Sequence, residues 1–123
     1  MNALETAMKE AISSRPDVAA IACMDGQAGL VLGMFVRGDI PHDLVEMAAL
    51  AGPELSTAPR LGDDDSTEDC DEAFVTSDAW VHAFARVPER PGLVVMGVAE
   101  AGTNVTLLRA WLGEVAGKVG RAS

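Results

Sequence analysis

A chain of 123 residues, 49 % of them hydrophobic, can bury roughly two-thirds of its unfolded surface, enough to hold one domain together without disulfide staples. Its formal net charge of −10, from 19 acids against 9 bases, repels phosphate backbones and anionic lipid and so argues against nucleic-acid and membrane-surface roles. No apolar run approaches the ~20 residues of a membrane span, and MNALETAMKE has neither the basic cap nor the apolar core of a leader, so the cytoplasm is the expected compartment.

Asn2 and Glu5 stand at capping-box spacing, followed by Leu4, Ala7, Met8, Ala11 and Ile12 at helical period, with Glu5, Lys9 and Glu10 on the opposite side. This predicts a first helix from about Ala3 to Ser14. Pro16 ends it, because the residue before a proline is pushed out of the helical region. Two short apolar runs come next, Val18 to Met24 and Leu30 to Val36, joined by DGQAG. Asp25 and Gly26 are expected to supply the left-handed conformations of a hairpin turn, and Gly33 to admit a close neighbour or a bulge. Neither run alternates, so the sheet should be covered on both faces.

Asp39 to Leu55 reads as a middle helix, with Asp39 placed to cap it, Pro41 in its first turn and Gly52-Pro53 ending or kinking it. Leu44, Met47, Ala48, Ala51 and Leu55 form one stripe, while Val45, Ala49 and Leu50 fall beside it. That is more apolar surface than one face needs. The expectation is that one side covers the sheet and the other meets a second copy of the chain. Ser56 to Glu72 then reads as an exposed loop holding Asp63, Asp64, Asp65, Glu68, Asp69, Asp71 and Glu72, which leaves only about −3 on the rest of the chain.

Ala73 to Ser77 and Trp80 to Val87 form a second predicted strand pair, with Trp80, His82, Phe84 and Arg86 alternating against Val81, Ala83, Ala85 and Val87. Leu93 to Ala99, LVVMGVA, suits a central strand. Thr103 is positioned to cap a closing helix whose stripe is Val105, Leu108, Trp111, Leu112, Val115 and Val119, weakened by Gly113 and Gly117. The expected fold is α+β: one domain, a three-layer α/β/α arrangement with a five-stranded, mainly antiparallel sheet, in the order α-β-β-α-β-β-β-α.

No segment carries a catalytic, cofactor or metal signature. GQAGLVLG lacks the Lys and Ser or Thr of a phosphate-binding loop, and His42 and His82 have no nucleophile in a recognisable context. His82 reads as a half-buried sheet residue and His42 as a surface one. Cys23 and Cys70 form no CxxC and read as incidental thiols. The acidic run lacks the alternation and turn glycine of a calcium loop and reads as a solvated, repelling stretch that could steer a basic partner. Arg37, Arg86, Arg90 and Arg109 are scattered, with nothing to mark one as an arginine finger. The NVT sequon at Asn104 is idle without a secretory leader.

VAAIACMDGQAGLVLG for the first hairpin, LVEMAALAG for the middle helix and LVVMGVAEAGTNVTLLRAWL for the last strand and helix together resemble the roadblock/LC7 domains, from about Leu4 to Val119. The resemblance implies a dimer that binds a small Ras-like GTPase, with the nucleotide belonging to the partner. It also implies a helix seam of Leu44, Met47, Ala48 and Ala51 and a strand seam of Ala73, Phe74 and Val75, each meeting its twofold mate. The acidic insert ahead of that strand departs from the family pattern. Met47→Glu is expected to split the dimer, since an unpaired carboxylate in an apolar seam costs several kcal/mol (order of magnitude). A type III secretion chaperone is the alternative: also small, acidic and dimeric, though usually with three strands before its middle helix. An enzymatic reading would need a pocket lined by His82 and Arg86.

Overall fold

The computed structural model describes residues 3–26, 28–37, 72–76, 79–88, 90 and 92–122. These form helix α1 (Ala3–Ser13), strands β1 (Val18–Asp25), β2 (Leu30–Val36), β3 (Glu72–Thr76), β4 (Trp80–Arg86) and β5 (Leu93–Glu100), and the closing helix α2 (Val105–Ala122). One sheet takes all five strands in the order β2-β1-β5-β4-β3, and every neighbouring pair is antiparallel. The expected strands are all present, with ends shifted by about a residue. Glu72, expected to close the acidic loop, instead opens β3. The middle helix expected over Asp39 to Leu55 lies outside the described residues, as does the capping residue Asn2.

Burial explains why the apolar runs do not alternate. β1 and β5 occupy inner positions and are buried on both faces along nearly their whole length. On the first face Ile21, Cys23, Ala83, Ala85, Val95 and Ala99 pack against Met8, Ala11 and Ile12 of α1 and Leu108, Trp111, Leu112, Val115 and Val119 of α2. The second face gathers Ala20, Ala22, Met24, Phe84, Val94, Met96 and Val98, flanked by Val31, Met34, Val36 and Trp80. It is equally buried, although both described helices lie on the first. Each fully buried large side chain contributes about 1.5–3 kcal/mol, so the two faces together supply most of the drive to fold.

Close approach of helix to sheet is set at two glycines. A side chain at Gly33 would stand 3.2 Å from Met8 Sδ of α1, and one at Gly97 would stand 3.0 Å from the Trp111 ring of α2. Gly33 therefore meets both halves of its expectation. Cys23 pairs with Gly33 and Met24 with Val31, leaving Leu32 as the extra residue of a bulge beside it.

Three local expectations are corrected. Among the described residues of the first hairpin turn the left-handed one is Gly29 (φ 67°), not Asp25 or Gly26. Asp25 acts through its side chain instead, its Oδ1 accepting from the Ala28 amide at 3.1 Å while its carbonyl accepts from the Gly29 amide at 2.9 Å. The cap of α2 is Asn104, whose Oδ1 accepts from the Leu107 amide at 3.0 Å, and not Thr103. Val105 stands 42 % exposed, outside the stripe assigned to it, and Ala116 and Gly120 are buried in its stead.

Candidate interaction surface

An antiparallel sheet has two edges, and in this one they differ in kind. β2 is blunted by its bulge, and its helix side is covered by α1; Leu30 (57 % exposed) and Leu32 (39 %) project from it. β3 has no bulge. Its five residues pair in unbroken register with β4, from Glu72 opposite Ala85 to Thr76 opposite Val81, and no described helix packs on it. Phe74 and Val75 are 37 % and 40 % exposed. A regular edge that no described helix covers, bearing large apolar side chains and no proline or lysine, is the kind that accepts another strand, whereas bulges are a usual protection against such pairing.

The faces of β3 follow from its register. Phe74 stands opposite Ala83 and therefore points to the side on which α1 and α2 lie; Val75 stands opposite His82 and points to the second face. On that second face the expected alternation of β4 is found, with Trp80 and Phe84 in the second cluster and Val81, Ala83, Ala85 and Val87 in the first. His82 is half-buried. Desolvation pulls its pKa below the ordinary imidazole value, and a hydrogen bond with the Val75 backbone partly opposes this, so the ring is neutral at pH 7 and tied to the edge strand. Arg86, two pairs along the same strand, is also half-buried.

Two arginines prove to be structural. Arg37, at the end of β2, donates from Nη2 to the Ile12 carbonyl at 2.6 Å and from Nη1 to the carbonyls of Arg15 (3.0 Å) and Val18 (3.2 Å). It adds to the backbone bonds that the Ile12 and Arg15 carbonyls already accept from the Arg15 (3.3 Å) and Val18 (3.0 Å) amides, and places a cation at the negative end of α1. Arg15 donates from Nε and Nη2 to the two oxygens of Asp17, at 2.8 and 2.6 Å, while its guanidinium lies 5.8 Å from the centre of the Trp111 ring. The Arg15 hydrogen bond is the largest influence on Asp17 and holds its carboxyl below the ordinary range, against a smaller opposing effect of desolvation.

Of the seam residues implied by the sequence resemblance, Leu44, Met47, Ala48 and Ala51 lie outside the described residues, as do His42, Cys70 and the acids from Asp63 to Asp71. Ala73, Phe74 and Val75 fall on the one bulge-free edge strand. Cys23 is buried in the first core cluster. Two features escaped the sequence. The clasp made by Arg37 depends on contacts 19 to 25 residues away in sequence, and the exposure of Leu30 and Leu32 depends on which strands end up at the edges.

This arrangement of sheet and helices is the roadblock/LC7 fold. The chain superimposes on a roadblock/LC7 domain from Streptomyces avermitilis with a TM-score of 0.74 at 14 % identity, covering 94 % of this chain and 92 % of that one. Myxococcus xanthus MglB gives 0.70 at 11 % identity, covering 96 % and 92 %, and MglC from the same organism gives 0.67 at 16 %, covering 97 % and 98 %. At the level of sequence, no family model matches the chain and no curated protein does.

Proposed function

We propose that this chain is an interaction module without chemistry of its own, which works as a homodimer and docks a small Ras-like GTPase so as to favour one of its nucleotide states. The observation that carries the proposal is a roadblock/LC7 fold whose sheet ends in a regular strand that no described helix covers, with Phe74 and Val75 exposed. Assembly is supported by an MglB structure with a tetrameric arrangement, which this chain matches at a TM-score of 0.73 and 11 % identity over 97 % of its own length and 86 % of the other's. In this reading Leu44, Met47, Ala48 and Ala51 form the helix seam, and Ala73, Phe74 and Val75 the strand seam.

The mechanism needs only unequal binding. A partner shifts a switch by stabilising one of its two conformations more than the other, so a rigid docking surface suffices and nucleotide chemistry stays with the GTPase. The cytoplasm is the compartment that fits such a partner; no described helix is long and apolar enough to cross a membrane. The chaperone alternative is less well supported, because the described residues between α1 and position 38 hold two strands where three are usual for that family.

The test is a pull-down of purified small GTPases loaded with GDP or with a non-hydrolysable GTP analogue. Retention of one loaded state over the other is the expected result. Absent or equal binding across the small GTPases of the cell would sink the proposal.

A further inference from the structure

Within the chain, β3 is attached to the sheet along one side, by its ladder with β4, and no described helix packs on it. In that ladder Val75 stands opposite His82. We infer that His82 is a proton-sensitive latch for the edge strand: the neutral ring clips β3 to the sheet, and the charged ring loosens β3 while the inner strands stay closed.

Placement carries the inference. The register sends the His82 side chain to the second face, between Val75 of β3 and Val98 of β5, with Trp80 and Phe84 two residues away on either side along β4. All four neighbours are apolar. The ring is half-buried among them and hydrogen-bonded to the Val75 backbone. Among the described strand residues two charged groups share that face: Arg86, further along β4, and Glu100, opposite Trp80 at the end of β5. β3 presents Ala73 and Val75 there, its Glu72 leaving on the first face, and the described residues of β1 and β2 on that side are apolar. No carboxylate therefore stands directly across from the ring to hold it charged.

An imidazolium donates from both ring nitrogens and needs a partner or water at each. Desolvation is the larger influence on the ring and opposes its charge; the Val75 bond is the smaller and favours it. The attached state thus takes up the proton less readily than a state in which β3 has swung aside and the ring is wet. Attachment is complete above the ordinary imidazole value of about 6.5 and weakens as the pH falls through it. Moving β3 is the smallest change that wets the ring, because β5 on its other side is also paired with β1 and is buried along nearly its whole length. The latch is a property of one chain. Its use in assembly rests on the strand-seam reading above, in which acidification weakens the dimer.

Hydrogen exchange of the full chain at pH 7.5, 6.5 and 5.5, with each rate divided by that of an unstructured peptide at the same pH, reads the attachment directly. Relative to β5, the β3 amides of the wild type should open several-fold more often at pH 5.5 than at pH 7.5. In His82→Gln, whose side-chain amide can still donate to the Val75 carbonyl, that ratio should stay flat. His42→Gln removes the chain's one other imidazole and should behave as the wild type. Should His82→Gln fail to fold, His42→Gln decides alone: its single ring gives the His82 protonation midpoint by nuclear magnetic resonance, and β3 opening should follow that midpoint. A β3 ratio that does not change with pH, an equal loss of protection in His82→Gln, or an opening midpoint apart from that of the ring would each overturn the latch. A chain of single mass by light scattering that still loosens β3 as the ring titrates would uphold the latch and remove the seam reading.

Discussion

Arg37 and Cys23 show how much a single side chain contributes when its surroundings are fixed. One guanidinium holds three carbonyls at the junction of α1, β1 and β2. Removing it takes three charge-assisted bonds and the cation from the helix end while the Ile12 and Arg15 carbonyls keep their backbone donors, so Arg37→Ala should lower stability by about 1 kcal/mol, and Arg37→Lys should recover less than half, since an ammonium lacks the planar fork that spans several acceptors. Urea midpoints of the three proteins check both statements. Burial pushes the Cys23 thiol from its ordinary 9.0 up to about 11, with the nearby charge of Asp25 adding to the effect. The unfolded chain then loses the thiol proton first as pH rises. Stability is fully present below pH 9 and falls as the pH climbs toward 11, by about 2–3 kcal/mol in all. The chain has no tyrosine to obscure that window. Comparing the pH dependence of the urea midpoint with that of Cys23→Ala isolates the contribution; parallel curves would refute it. Neither effect is visible in sequence, where Arg37 is one arginine among several and Cys23 a thiol in an apolar run.

Among the secondary elements, two glycines that look alike in sequence behave oppositely. Gly113 sits on the exposed side of α2 with nothing within 4 Å of an added methyl group, so Gly113→Ala should stabilise the fold by about 0.5–1 kcal/mol through helix propensity. A methyl group added at Gly97 of β5 would stand 3.0 Å from the Trp111 ring, and the ring is itself packed between the sheet and Arg15. Gly97→Ala should therefore cost about 1–3 kcal/mol as an overpacked contact. Thermal unfolding of the two variants should move the midpoint in opposite directions. The contrast explains what was legible beforehand. Helical period in α1 and α2, apolar length in β1 and β5 and alternation in β4 are properties of consecutive residues, so element type and order could be read from them. Cap, turn and edge are decided by partners distant in sequence or by competition between neighbours: Asn104 outcompetes Thr103 for the Leu107 amide, Gly29 takes the left-handed position ahead of Gly26, and Val105 falls outside the stripe because it precedes the first turn that reaches the sheet. For the candidate site, sequence placed an apolar strand at Ala73 to Val75. Only the topology shows that it is an edge, and only the register shows that Phe74 and Val75 leave it on opposite faces.

For the molecule as a whole, a sheet buried on both faces leaves few ways to recruit a partner. Its inner strands are committed, one outer strand is bulged, and the other is regular and covered by neither described helix. That asymmetry gives the roadblock/LC7 fold of this chain a direction of growth and underlies the proposal that it acts as a docking platform built from two copies. The net charge of −10 does not help two like chains associate, so the seam must draw on apolar contact and backbone pairing, and raising ionic strength should strengthen the dimer. The most direct measurement is the solution mass by light scattering of the wild-type chain and of Phe74→Lys, a change that places a charge at the proposed seam on an already exposed side chain. The account predicts twice the 12.8 kDa of one chain for the wild type and 12.8 kDa for the variant, with unchanged circular dichroism. A wild-type mass of a single chain, or a variant that remains fully dimeric, would contradict it.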